Sequence, residues 1–148
     1  MGSVAIPAGA RVYLETNSII YSVERIAPYH ALLLPVWLAA KSGTFGLMTS
    51  EFTLLEVLVG PLKTGDTALE TDYRSLLTGT SDVSLFAVTR SVLERSARIR
   101  ASDNLKSPDA IHAATAFEAG ATLFITNDPV FRRVPGLNAV VLDDLLAP

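Results

Sequence analysis

Val12-Tyr13-Leu14-Glu15-Thr16-Asn17-Ser18-Ile19-Ile20 is the stretch on which the reading of the whole chain turns. Val12, Tyr13 and Leu14 make a short apolar strand. From Asn17 to about Ile26 the apolar positions Ile19, Ile20 and Val23 then recur at helical spacing. A strand that passes straight into a helix is half of a βαβ unit, and the pattern repeats downstream. A helix is expected over Tyr29 to Lys41, with a kink at Pro35. Phe45 to Thr49 reads as a strand, followed by a helix that Ser50 caps and that stops at Gly60-Pro61. Asp66 to Leu77 is helical, Val83 to Val88 a strand, and Thr89 to Ala101 a helix. Ser107-Pro108-Asp109 opens a further helix, with Ser107 as cap, Pro108 at the first position and an acid in the first turn. Gly120 ends it, and strands follow over Ala121 to Ile125 and Asn138 to Leu142. Short apolar strands alternating with helices imply an α/β fold with a mostly parallel sheet covered on both faces. No linker-like stretch divides residues 1–148, so one domain is expected.

Composition narrows the function classes. Of 148 residues, 49% are hydrophobic and 18% charged, and 12 basic against 15 acidic side chains leave a net charge of −3. Such a chain is too apolar to be disordered and too acidic to coat nucleic acid through bulk charge. The absence of cysteine excludes disulfide scaffolds, thiolate metal sites and cysteine nucleophiles. Two distant histidines give no zinc pattern. Met1 to Ala10 lacks a basic start and an apolar stretch, and the apolar run Ala31 to Ala40 is too short to span a bilayer. A cytoplasmic protein without a membrane anchor is therefore expected.

In a parallel α/β sheet the active crevice lies at the carboxyl ends of the strands. Glu15 follows the first strand directly, and Asp128 follows Ala121 to Ile125 closely. Asp109 begins a helix, and Glu56 interrupts an otherwise apolar one. Each has a plainer role open to it. Glu15 and Asp128 suit solvated loops, Asp128 the turn before Pro129, Asp109 the helix dipole, and Glu56 a capping box with Thr53. Together they can converge on one crevice. Four such carboxylates cannot all stay ionised without a cation, because like charges raise one another's pKa. All-oxygen ligands favour Mg²⁺ or Mn²⁺, and the matching reaction is phosphodiester hydrolysis. A phosphatase-like alternative lacks a nucleophilic Asp paired with a lysine.

Four stretches in order resemble the PIN domain, in particular the VapC-type toxin ribonucleases of type II toxin–antitoxin systems. They are Val12 to Tyr21, Thr49 to Leu58, Pro108 to Ala116 and Phe124 to Phe131. The resemblance implies a three-layer α/β/α sandwich with a five-stranded parallel sheet, and a Mg²⁺- or Mn²⁺-dependent endoribonuclease. It implies Glu56, Asp109 and Asp128 as catalytic, metal-holding acids, with Glu15 standing where the family usually has Asp. Asn17 and Thr126 would orient carboxylates and water. An RNA substrate, a small antitoxin partner and homodimerisation are also implied. Glu15 is one methylene longer than Asp, about 1.5 Å of extra reach, so Glu15→Asp is expected to preserve or raise activity. Two other readings stay open: a PIN nuclease of RNA processing or decay, and a domain impaired at Glu15 that binds RNA or protein.

An acidic metal site holds RNA only if cations flank it. Arg132 and Arg133, just beyond Asp128, are the first candidates, with Arg98 and Arg100 behind them. A solvated helix face is the plainer account of any one of these. His112, one turn after Asp109, is read as structural rather than as a general base. Trp37 is read as core or interface. The stretch Leu32 to Leu38 is apolar on more faces than one sandwich layer covers, which points to an antitoxin groove or a dimer interface.

Overall fold

Side chains alternate along Val12-Tyr13-Leu14, sending Val12 and Leu14 to one face of a sheet and Tyr13 to the other. All three are fully buried, as a strand covered on both sides requires. In the computed structural model, which describes residues 2–146, they form β1 (Arg11–Leu14) at the centre of the sheet. Met1, Ala147 and Pro148, part of the single unit expected above, lie outside the described residues. The other strands are β2 (Gly46–Ser50), β3 (Ser84–Phe86), β4 (Leu123–Thr126) and β5 (Ala139–Val141). The five strands lie in the order β3-β2-β1-β4-β5, every pair parallel.

Helices cover both faces. On the Val12 and Leu14 side lie α1 (Thr16–Val23), α2 (Tyr29–Lys41), α3 (Phe52–Thr64) and α4 (Thr67–Thr78), whose core includes Ile19, Leu33, Val36, Val57 and Tyr73. On the Tyr13 side lie α5 (Arg90–Asp103) and α6 (Ser107–Glu118), packed through Val92, Ile99, Ala113 and Phe124. The chain is thus the three-layer α/β/α sandwich expected. Strand order runs outward from β1 to β3, then resumes on the other side of β1 with β4. The gap between the carboxyl ends of β1 and β4 is therefore the switch point where such folds place their sites. Among the described residues, no helix is long and apolar enough to cross a membrane.

Three local expectations are corrected. α3 does not stop at Gly60-Pro61 but continues to Thr64. Pro61 lacks the N–H that would serve the Val57 carbonyl, yet its ring is buried against the rest of the fold. Gly65, at φ 72°, supplies the left-handed stop. Ser107 does not cap α6. Lys106 is the N-cap, and the Ser107 hydroxyl accepts from Arg100 Nη1 at 2.9 Å instead. The first helix begins a residue earlier than expected, at Thr16, because the Glu15 carboxylate caps it, and it ends at Val23. Pro35 lies inside α2 on its exposed side, where water can serve the carbonyl of exposed Ala31 that its missing N–H leaves free.

Candidate metal centre

Because β1 ends at Leu14, the next residue stands at the carboxyl edge of the sheet. Glu15 is 8% exposed there. Its Oε2 accepts from the Asn17 backbone N–H at 3.4 Å and from the Thr126 hydroxyl at 3.3 Å. The Thr126 hydroxyl also accepts from the Asp128 N–H at 3.1 Å, so one side chain ties the ends of β1 and β4 together. Asn17 serves Glu15 through its backbone, while its side-chain oxygen accepts from the Ser18 hydroxyl.

Glu56 rides α3 on the opposite side of the crevice. It makes no capping box with Thr53, whose hydroxyl pairs with that of Thr49 at 2.8 Å. The Glu56 Oε1 accepts from the Thr16 hydroxyl at 2.7 Å and meets His112 Nε2 at 2.5 Å. His112 is fully buried, and its Nδ1 lies 2.6 Å from the Tyr13 hydroxyl. Glu15, Glu56 and His112 can each offer an atom such that all three atoms lie within 4.8 Å of one another. Asp109, half-buried in the first turn of α6, and exposed Asp128 stand outside this tight group. The Asp128 Oδ1 accepts from the Val130 N–H at 2.9 Å, which is the turn-capping role open to it from sequence.

The carboxylates nevertheless feel one another. Burial raises the Glu15 carboxyl above its ordinary range, Glu56 adds to the rise, and His112 and the hydrogen bonds oppose it. Burial first and the Asp128 charge second raise Asp109, with a smaller push from Glu56. At Glu56 burial acts upward, but the hydrogen bond and attraction from His112, with the Thr16 hydroxyl, outweigh it and hold the carboxyl below its ordinary range. The Tyr13 phenol is pushed well above its ordinary value by burial and then by Glu15. Among the described residues, no lysine or arginine forms a salt bridge with Glu15, Glu56, Asp109 or Asp128. Acids that repel one another without a lysine or arginine partner suit a bound divalent cation.

The arginines differ in how free they are. Arg100 is spent on the α5–α6 connection, donating to the Leu105 carbonyl at 3.1 Å and to Ser107. Arg132 is exposed and paired with Asp144, and Arg133 donates to the Asn104 carbonyl at 3.3 Å. Arg98 is exposed on α5. Sequence reading passed over Thr16, Tyr13 and the contact of His112 with Glu56. The available signal was position: Thr16 follows Glu15, and His112 stands one helical turn beyond Asp109.

A parallel sandwich with acids gathered at its switch point defines a class of α/β proteins that work at a strand edge. Within that class the sequence matches the model of the PIN domain over residues 12–137, and the chain belongs to that family. PIN domains are in general nucleases and typically use divalent metals. A chain of VapBC2 from Rickettsia felis, bound to a DNA fragment from its promoter, is similar with TM-score 0.70 and 19% identity. That match covers 88% of this chain and 98% of that one. A toxin–antitoxin complex from Klebsiella pneumoniae matches with TM-score 0.65 and 26% identity, covering 88% and 96%. VapBC-5 from Mycobacterium tuberculosis matches with TM-score 0.56 and 21% identity, covering 89% and 97%. A search of curated proteins finds no match.

Proposed function

We propose that this chain is a metal-dependent endoribonuclease, the toxin of a type II toxin–antitoxin pair acting in the cytoplasm as a single domain. The observation that carries the reading is the gathering of Glu15 and Glu56 beside the β1–β4 switch point, with Asp109 and Asp128 in their field and, among the described residues, no lysine or arginine salt-bridged to them. Glu15, Glu56, Asp109 and Asp128 would hold Mg²⁺ or Mn²⁺. Bound there, a divalent ion supplies Lewis acidity and lowers the pKa of water. The protein's own part is positional. Thr126 and the Asn17 N–H orient Glu15, Thr16 and His112 orient Glu56, and the turn at Val130 orients Asp128. Asp109 at the start of α6 sits where the helix dipole favours its ionised form. Arg98, Arg132 and Arg133, with Arg100 behind, would hold RNA phosphates beside the acids. The toxin–antitoxin neighbours support a small antitoxin as partner, and a homodimer as the working unit is part of the same proposal.

Purified protein with Mn²⁺ should cleave single-stranded RNA internally, and Asp109→Asn should lower the rate at least ~10²-fold. Expression should arrest growth, with relief from the co-expressed neighbouring gene; cleavage without arrest would favour RNA processing or decay. A second reading rests on Glu15 itself, whose carboxylate caps α1. If calorimetry finds no Mn²⁺ binding by the wild type, the chain is an impaired PIN domain that works by binding.

A further inference from the structure

His112 is fully buried and reaches the acidic crevice through Glu56, and its part toward a bound ion is still to be assigned. It stands on α6, under the Tyr13 face of the sheet, yet it touches Glu56 of α3, which packs on the opposite face. The ring therefore crosses the carboxyl edge and links the two helical layers. Two aromatic rings hold it edge-on. Tyr13 lies at a centroid distance of 5.9 Å and 72°, and Phe52 at 5.8 Å and 79°.

The hydrogen-bond roles follow from chemistry. An ionised carboxylate only accepts, so Nε2, 2.5 Å from Glu56 Oε1, carries the hydrogen. At Nδ1 the partner is the Tyr13 hydroxyl, which can donate or accept. The ring is thereby held in one orientation whether or not Nδ1 bears a proton. The same Glu56 oxygen receives the Thr16 hydroxyl, which is also 3.0 Å from Nε2. Glu56 Oε1 is thus bound by two donors, and its second oxygen is left for the crevice.

We infer that His112 is a positioning residue: it keeps its Nε2–H on Glu56 while a divalent ion binds, rather than becoming a ligand of that ion. The inference rests on the metal reading proposed above. It also sets a limit on the close group of Glu15, Glu56 and His112, in which only the two carboxylates face the ion. The nitrogen that would otherwise shift such a site toward softer metals is occupied by its proton.

Long-range ¹H–¹⁵N correlation spectra of histidine-labelled protein test this directly, with the His112 signals assigned by their loss in His112→Gln. The expected result is an Nε2 that stays protonated before and after saturation with Mg²⁺, which is diamagnetic. Loss of that proton on metal loading would overturn the inference, because it would make His112 a ligand. Calorimetry with Mn²⁺ supplies the second arm. His112→Ala should weaken binding by roughly 10–100-fold, and His112→Gln, whose amide can still donate to Glu56, should recover most of the loss. Thermal melts run in parallel separate this from packing damage. A variant that melts lower yet binds Mn²⁺ as the wild type does would leave His112 a core residue only, and would overturn the inference. Absence of Mn²⁺ and Mg²⁺ binding to the wild type would instead overturn the metal reading itself.

Discussion

Glu15 holds its proton more tightly in the folded chain than in the unfolded one, because burial and the Glu56 charge disfavour its ionised form. Between the ordinary carboxylate pKa and the raised folded value, the folded state binds more protons, so stability falls as pH rises through that window. Above it the loss is complete and persists at neutral pH. Metal-free Glu15→Gln should therefore melt higher than the wild type near pH 8, by roughly 2–4 °C for each ~1 kcal/mol relieved. The two should converge near pH 4, where the wild-type side chain is itself neutral. Mn²⁺ should raise the melting temperature of the wild type more than that of the variant. Equal melting of the two metal-free proteins near pH 8 would show that Glu15 carries no unrelieved charge. At this scale the sequence exposed the acids but not what holds them. Glu15, Glu56, Asp109 and Asp128 stand out because a lone acid beside apolar runs is conspicuous. Thr16, Tyr13 and His112 do not, because a buried hydroxyl or imidazole at helical spacing looks like any other core residue until its partner across 40 to 99 residues is placed.

Helices α2 and α3 each keep apolar side chains in water. Leu32, Leu33 and Val36 of α2 are buried, whereas Leu34 and Leu38 are 46% and 60% exposed. On α3, Leu55, Val59 and Leu62 recur at i, i+4 and i+7 and stay largely exposed, so they form one stripe. On the reading proposed above, this stripe is where the homodimer forms. Leu55→Ser with Leu62→Ser should leave the melting temperature within about 2 °C of the wild type, since exposed positions contribute little to folding. In sedimentation at micromolar concentration the same pair should shift a self-associating wild type to monomer; an unchanged sedimentation coefficient would remove the stripe from the interface. The elements themselves were largely legible, for periodicity and glycine stops are local properties. What misled was proline. Pro61 reads as a stop, yet the helix passes through it, because its ring is buried against the rest of the fold. That compensation depends on tertiary packing, which no window of sequence contains.

The whole molecule carries a net charge of −3 and presents an acidic crevice, so the ribonuclease proposed above would draw RNA against its own field. Exposed Arg98, Arg132 and Arg133 are the cations that the proposal assigns to offset this. If they neutralise three phosphates, the affinity for single-stranded RNA, measured with Asp109→Asn to prevent cleavage, should fall with salt at a log–log slope of about −2. An affinity indifferent to salt would detach these residues from RNA. The fold class and the acidic edge followed from the order of strands and helices. The strand order did not, because periodicity cannot say on which side of β1 the later strands add. That order has a consequence for how the protein comes into being. β1 is synthesised first, but Arg11 bonds to Thr122 across 111 residues of chain, and Val12, paired on one side with Leu47, finds its second parallel partner only at Leu123. A nascent chain carrying only the first half exposes one flank of its central strand, and the acids at Glu15 and Glu56 wait for Asp109 and Asp128. A ribosome making this chain therefore holds an incomplete site until β4 and Asp128 have emerged.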